Sequence, residues 1–139
     1  MQGTCLSQTG ILLCLKKAPI LWYSKLLKTM ETSFFGSEFV VLRVATEMIK
    51  GMRYKLRKMG IPMEGPAIVL IDNETFMKNS TIPSSTLQRK HNAICYHFER
   101  EAVASSILRI AHIPTDQNLA DMLTKMLGVT KLQSFCRQI

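Results

Sequence analysis

Acidic side chains are missing from the start of the chain, where the first Asp or Glu is Glu31. Over all 139 residues, 18 Lys and Arg outnumber 10 Asp and Glu, which gives a net charge of +8. A basic balance of this kind favours an acidic partner, such as nucleic acid or a membrane surface.

Long apolar runs are also absent. The segments "ILLCL" (11–15) and "PILWY" (19–23) are separated by Lys16 and Lys17, and neither approaches the ~20 residues that a membrane span needs. No basic segment precedes them, as one would in a signal peptide. We therefore expect a protein that is not secreted, makes no membrane contact and resides in the cytoplasm or nucleus.

Cysteines are few and scattered, at Cys5, Cys14, Cys95 and Cys136. No pair has the C-x-x-C spacing of a zinc site, and no Cys/His cluster occurs. The pattern predicts free, mostly buried thiols in a reducing compartment. The length, with 47% hydrophobic residues, predicts a single domain over 1–139.

Hydrophobic periodicity predicts seven main elements in an α/β order. A stripe of apolar residues from Leu42 to Met59 predicts one long amphipathic helix, which the Gly- and Pro-rich segment 59–66 ends. The residues "NSTIPSST" (79–86) predict a loop. The full prediction is strands at 9–16 and 20–25 joined as a hairpin, a helix at 33–59, a strand at 67–72, a short helix from Asn73, a helix at 91–105, a strand at 107–113, and one or two helices within 117–136.

The strand "AIVLID" (67–72) has no apolar–polar alternation, which predicts burial on both of its faces. It ends in Asp72. At that position a carboxylate has two roles that the sequence leaves open, because it can cap the helix that follows or bind a ligand beyond the strand's carboxyl end.

Two further acids have equally ordinary alternatives. Glu38 lies on the apolar stripe of the long helix, where a first-turn carboxylate favours the positive end of the helix dipole. Asp121 is four residues before Lys125, which predicts a surface ion pair, with Leu119, Met122, Leu123 and Met126 packed inward. If the three acids converge, they can bind Mg²⁺, which prefers oxygen ligands. Sequence spacing does not demonstrate such convergence.

Five segments in a fixed order carry a resemblance to a known family: "SQTGILLCLKKAPILWYSK", "SFFGSEFVVLRVATEMIKGMRYKL", "IVLIDNE", "RKHNAICYHFEREAV" and "IPTDQNLADMLTK". Together they resemble the ribonuclease H domain of copia-type long-terminal-repeat retrotransposon polyproteins, over most of the chain. The resemblance implies an α/β, ribonuclease H-like fold, with a mixed sheet and helices on both faces. It also implies two-metal, Mg²⁺-dependent hydrolysis of the RNA strand of RNA–DNA hybrids, beside a reverse transcriptase domain in the parent polyprotein.

By motif, Glu38, Asp72 and Asp121 resemble three of the family's four catalytic, metal-binding acids. The first Asp of the family, on its first strand, has no counterpart, because "MQGTC" (1–5) contains no acid. We therefore expect a domain truncated at its N-terminus, without the first strand and inactive as this chain. The alternative is a non-catalytic nucleic-acid-binding or host-recruited interaction domain.

Basic residues offer candidate contacts to a nucleic acid. Arg43, Lys50 and Arg57 recur every seven residues on the long helix, off its apolar stripe, which fits either a solvated face or contacts to phosphates. His97 falls in a Tyr-His motif, where it packs, makes a satisfied hydrogen bond or positions substrate. The candidate substrate contacts are Asn73, Lys90, His91, His97, Arg53 and Arg57.

Overall fold

In a computed structural model of the chain, the described residues are 8–26, 34–74, 77 and 93–139, with only the backbone described at 34–37 and 93–96. The predicted loop at 79–86 and the candidate contacts Lys90 and His91 lie outside these residues. The chain divides into two compact units, residues 1–32 with 119–139 and residues 33–118. The single domain over 1–139 stays a prediction.

The first unit begins with the predicted hairpin, which is confirmed. Strand β1 (Gln8–Leu15) pairs antiparallel with β2 (Ala18–Leu26). Lys16 and Lys17 form the turn, and Lys16 adopts the left-handed conformation with φ of 56°.

The C-terminal part of the first unit contains a 3₁₀ segment (Leu119–Leu123) and helix α3 (Val129–Cys136). One of the predicted terminal helices is therefore confirmed, and the other is a 3₁₀ turn. Among the described residues of this unit, Ile11 and Phe135 are the buried apolar side chains.

Helix α1 (Phe34–Lys58) opens the described part of the second unit and confirms the predicted helix within one residue at each end. Leu42, Ala45, Ile49 and Leu56 are buried, as the apolar stripe predicts. Gly60 ends the helix with φ of +79°, and the Ile61 amide donates to Leu56 O at 3.0 Å. This is the left-handed termination that glycine favours.

The remainder of the second unit is a strand–helix–strand arrangement. Strand β3 (Ala67–Ile71) leads to a helical turn at Glu74 and Met77, then to α2 (Ala93–Ala104) and β4 (Leu108–His112). Strands β3 and β4 pair in parallel, and this requires the crossover that contains α2. The α/β class, with parallel and antiparallel pairs, is thus confirmed.

The core of this unit lies between the two helices and one face of the β3–β4 pair. It contains Phe39 and Leu42 from α1, Ala102 from α2, and Leu108 and Ile110 from β4. Val69 and Ile71 pack against it from β3.

Burial of β3 on both faces was a wrong prediction. Burial alternates along the strand, and Ile68 and Leu70 are 68% and 53% exposed. The physical reason is that only the face carrying Val69 and Ile71 meets the core. Met59 is also exposed, because it lies beyond the last helical residue of α1.

Cys14 and Cys136 are free, as predicted, but both are exposed, so burial of most thiols is wrong for the two that the structure describes in full. Each lies near the end of its element, where fewer neighbours cover a side chain. No helix among the described residues is long and apolar enough to cross a membrane.

Candidate metal-binding site

Two of the three predicted acids, Glu38 and Asp72, lie together at the carboxyl end of β3. Asp72 is the first residue after the strand, and Glu38 lies on α1 opposite it. Asn73 links the two elements, because its Nδ2 donates to Glu38 Oε1 at 3.2 Å and to Oε2 at 2.9 Å. Glu38 is the fifth residue of α1, so the prediction that placed it in the first turn is wrong.

The electrostatics of this pair favour a positive partner. Burial raises the pKa of Glu38, the Asn73 hydrogen bonds lower it, and the negative charge of Asp72 raises it again. Two carboxylates that repel each other are stabilised when a cation lies between them. Among the described residues, none donates a hydrogen bond to the Asp72 carboxylate.

The donor set fits a hard divalent cation, which takes carboxylate and amide oxygens. Glu38 and Asp72 are both half-buried, so their oxygens are shielded without being cut off from solvent. Across the described ranges, no group of three or more His, Cys, Asp or Glu side chains is arranged to hold a metal ion. The structure thus brings two of the predicted ligands together.

Asp121 belongs to the first unit, on the 3₁₀ segment. The predicted ion pair is confirmed, with Lys125 Nζ 3.0 Å from Asp121 Oδ2. Its surface location is wrong, because the Asp121 side chain is only 7% exposed while that of Lys125 is 52% exposed. Met126, which was predicted to pack inward, is fully exposed. A 3₁₀ segment has three residues per turn, so its inward-facing residues differ from those of an α-helix and include Asp121, whereas Met126 lies beyond its last residue.

Contacts with the hairpin hold the segment around Asp121 in place. A Cβ atom on Gly10 would lie 2.7 Å from Thr124 Cγ2 and 2.9 Å from both Ala120 O and Leu123 Cβ. Only glycine permits so close an approach. Beside it, Gln8 Nε2 and Ser24 Oγ donate to Leu123 O at 3.1 and 2.8 Å. The hairpin therefore fixes the backbone that carries Asp121.

The predicted substrate contacts fall into different surroundings. Asn73 binds Glu38, as described above. Arg53 Nη2 donates to Gly65 O at 2.8 Å and so joins α1 to the segment before β3. Arg57 is exposed in the last turn of α1, and His97 is exposed on α2.

Glu99 on α2 is fully buried, although it was not among the predicted site residues. Thr46 Oγ1 on α1 lies 2.8 Å from Glu99 Oε2. The available signal was spacing, because Glu99 precedes Ala102 and Val103 by three and four residues and so shares their inward face. Lys50 was predicted to face solvent or phosphates. Its Nζ atom instead lies 4.2 Å from the centroid of the Phe98 ring on α2, close enough for a cation–π interaction.

Comparison with curated proteins identifies relatives of the chain. It is 32% identical over 133 residues to the retrovirus-related Pol polyprotein from transposon RE2 of Arabidopsis thaliana, and equally to that from transposon RE1. It is 30% identical over 134 residues to the retrovirus-related Pol polyprotein from transposon TNT 1-94 of Nicotiana tabacum.

Each match covers 96% of this chain but only 9–10% of the relative, so the chain spans about a tenth of the length of these polyproteins. No family model matches the chain. No solved structure matches it significantly. The chain is therefore a homologue of a short segment of retrovirus-related Pol polyproteins from plant transposons.

Proposed function

We propose that the chain is a retrotransposon-derived, ribonuclease H-type domain that binds RNA–DNA hybrids, with Glu38, Asp72 and Asp121 as Mg²⁺ ligands. The observation that carries the proposal is the pair of carboxylates at the carboxyl end of β3, with Glu38 oriented by Asn73. Ligands of α/β proteins gather at this end of the strands.

Each residue of the pair has a separate role in this proposal. Asp72 provides a carboxylate to which no described residue donates a hydrogen bond. Asn73 donates to both oxygens of Glu38, which leaves their other lone pairs for a cation. Bound there, Mg²⁺ would activate a water and offset the charge that develops on a phosphodiester.

The 139-residue polypeptide supplies three acids to a site that has four in the family. Since residues 1–30 contain no Asp or Glu, we propose that this polypeptide binds the hybrid without cleaving it. Loss of one carboxylate from such a site costs several orders of magnitude in rate, because electrostatic stabilisation is the largest contribution to this kind of catalysis.

Hybrid binding rests on charge. The net charge of +8 favours phosphates, and the last turn of α1 carries Lys55, Arg57 and Lys58. The positive side chains also complement the negative end of the helix dipole. Contacts of this type are blind to sequence and weaken as salt is added.

The test is binding of a fluorescent RNA–DNA hybrid over a range of salt concentrations, followed by incubation with Mg²⁺. We expect salt-sensitive binding, a salt slope that falls by about one in Arg57→Gln, and no cleavage above background. Lys17→Gln, in the hairpin turn, is the matched control. Absence of hybrid binding at low salt would favour the host-recruited interaction domain, and cleavage that disappears in Asp72→Asn would overturn the expected inactivity.

A further inference from the structure

A second site, independent of the proposed function, lies where α1 and α2 pack. The Glu99 side chain on α2 is fully buried. Its Oε2 atom lies 2.8 Å from Thr46 Oγ1, and its Oε1 atom has no hydrogen-bond partner among the residues that the structure describes. A buried carboxylate oxygen without a partner is costly, because no water replaces its lost hydration.

The single hydroxyl hydrogen of Thr46 indicates that the neutral, protonated form of Glu99 fits these contacts better than the ionised form. Thr46 Oγ1 lies 2.9 Å from Leu42 O as well as 2.8 Å from Glu99 Oε2, and a hydroxyl has one hydrogen to donate. With an ionised Glu99, the two acceptors compete for that hydrogen. With a neutral Glu99, the carboxyl O–H donates to Thr46 Oγ1, and Thr46 donates to Leu42 O, so both contacts are satisfied.

The charged groups nearby on α1 have other partners. Arg43 Nε pairs with Glu47 Oε1 at 3.2 Å, and Lys50 Nζ lies over the Phe98 ring. Among the α2 side chains that the structure describes, the titratable neighbours are His97, Arg100 and Glu101, none of which is buried. From β4, the buried side chains Leu108 and Ile110 are apolar.

We propose that Glu99 makes the α1–α2 interface sensitive to pH, because its neutral carboxyl group stabilises the packed helices and its ionisation weakens their contact. Burial is the main cause that raises the pKa of Glu99, to about 7 from an ordinary 4.5. When Thr46 donates to the ionised carboxylate, that bond opposes the increase, as do the charges of Lys50 and Arg43, and Glu47 adds to it.

The sign of the effect follows from proton binding. Between pH 4.5 and about 7, the folded chain keeps a proton on Glu99 that the unfolded chain has lost. Stability is therefore full below pH 4.5, falls as the pH rises to about 7, and is constant above it. The unfolding equilibrium constant rises by about tenfold per pH unit in this window, on the order of a hundredfold in total.

The test is urea unfolding of the full chain from pH 4.5 to 8, compared with Glu99→Gln, which is neutral at every pH. The difference between the two stability curves isolates Glu99 from other titrating groups. We expect wild type to lose stability relative to Glu99→Gln as the pH rises, and Glu101→Gln, an exposed neighbour on α2, to follow wild type. A flat difference, or one that rises with pH, would overturn the proposal.

A second measurement keeps the test independent of how well the variants fold. The ¹³C shift of the Glu99 side-chain carboxyl in the wild-type chain reports its titration directly. We expect a midpoint near 7, and a higher midpoint in Lys50→Met, because that variant removes a charge that lowers the pKa. A wild-type midpoint near the ordinary 4.5 would contradict the proposal.

Discussion

Asn73 and Glu38 are joined by two hydrogen bonds, from Asn73 Nδ2 to both carboxylate oxygens, at 3.2 and 2.9 Å. These bonds link the residue after Asp72 to the helix that faces it. They therefore set the separation of the two acids that the proposed metal site requires.

Removing this link should change the titration of Glu38. In Asn73→Ala we expect the pKa of Glu38 to rise, because hydrogen bonds that favour its charged form are lost. We also expect a loss of about 1–2 kcal/mol in the free energy of unfolding, as for other bonds to charged groups. Asp72→Asn is the matched variant, in which the pKa should fall, because a nearby negative charge is removed. Titration of the Glu38 carboxyl ¹³C shift measures the pKa in both variants. A Glu38 pKa that moves in the same direction in Asn73→Ala and in Asp72→Asn would contradict these contacts.

Replacing Gly10 with Ala should destabilise the first unit. The added Cβ would contact Thr124, Ala120 and Leu123 within 2.7–2.9 Å, and forced overpacking of this kind costs about 1–3 kcal/mol. Gly51→Ala is the control, because no atom of the described residues outside its own stretch of α1 lies within 4 Å of its Cβ position. It should stabilise the helix by up to about 1 kcal/mol. Urea unfolding measures the stability of both variants. If Gly10→Ala is as stable as the wild-type chain, the hairpin does not hold the Asp121 segment.

One-sided burial of the β3–β4 pair can be tested with two isoleucines. Ile110 on β4 is 6% exposed and Ile68 on β3 is 68% exposed. We expect Ile110→Ala to lose about 2–5 kcal/mol, because it leaves a cavity, and Ile68→Ala to lose about 0.5 kcal/mol or less. Equal losses in urea unfolding would mean that the exposed face of β3 is covered in solution.

The Lys125–Asp121 pair should matter more than a surface ion pair does. Lys125→Met leaves the buried Asp121 carboxylate without its cation, and we expect a loss of about 1–3 kcal/mol. The loss is smaller than for a fully buried pair, because Lys125 is half-exposed. Adding Asp121→Asn to Lys125→Met should recover part of the loss, since the uncompensated charge is then gone. A double-mutant cycle with no coupling would contradict this account.

The helices and strands were predictable from the sequence, because their limits depend on local patterns. The stripe that includes Leu42 and Ile49 defined α1, and the turn at Lys16 and Lys17 defined the hairpin. Element limits agree within about two residues for these segments, as expected for strongly patterned elements.

The surroundings of individual side chains were less predictable, because they depend on residues distant in the sequence. An apolar run does not reveal which of its faces is covered, so the exposure of Ile68 was missed. The spacing of Asp121 was interpreted as α-helical, whereas a 3₁₀ turn buries it. Glu99 was overlooked because charged residues are rarely buried, and only the fold shows that Thr46 meets it.

The candidate metal-binding site also has parts that were predictable from the sequence and parts that were not. The position of Asp72 at the end of a strand was predictable, and so was the place of Glu38 on α1. The link through Asn73 required the fold, because it joins residues 35 apart in the sequence. The role of all three acids as metal ligands stays a prediction.

The most direct measurement of the central claim is hybrid cleavage by an extended chain. The 139-residue sequence would be joined to the segment that precedes the matching residues in one of the plant transposon polyproteins, where the resemblance to ribonuclease H domains predicts the first acid. We predict Mg²⁺-dependent cleavage of the RNA strand that is lost in Asp72→Asn and in Asp121→Asn but kept in Asp116→Asn, an exposed acid outside the site. An extended chain that folds and binds the hybrid, yet cleaves no faster than its Asp72→Asn variant, would contradict the account.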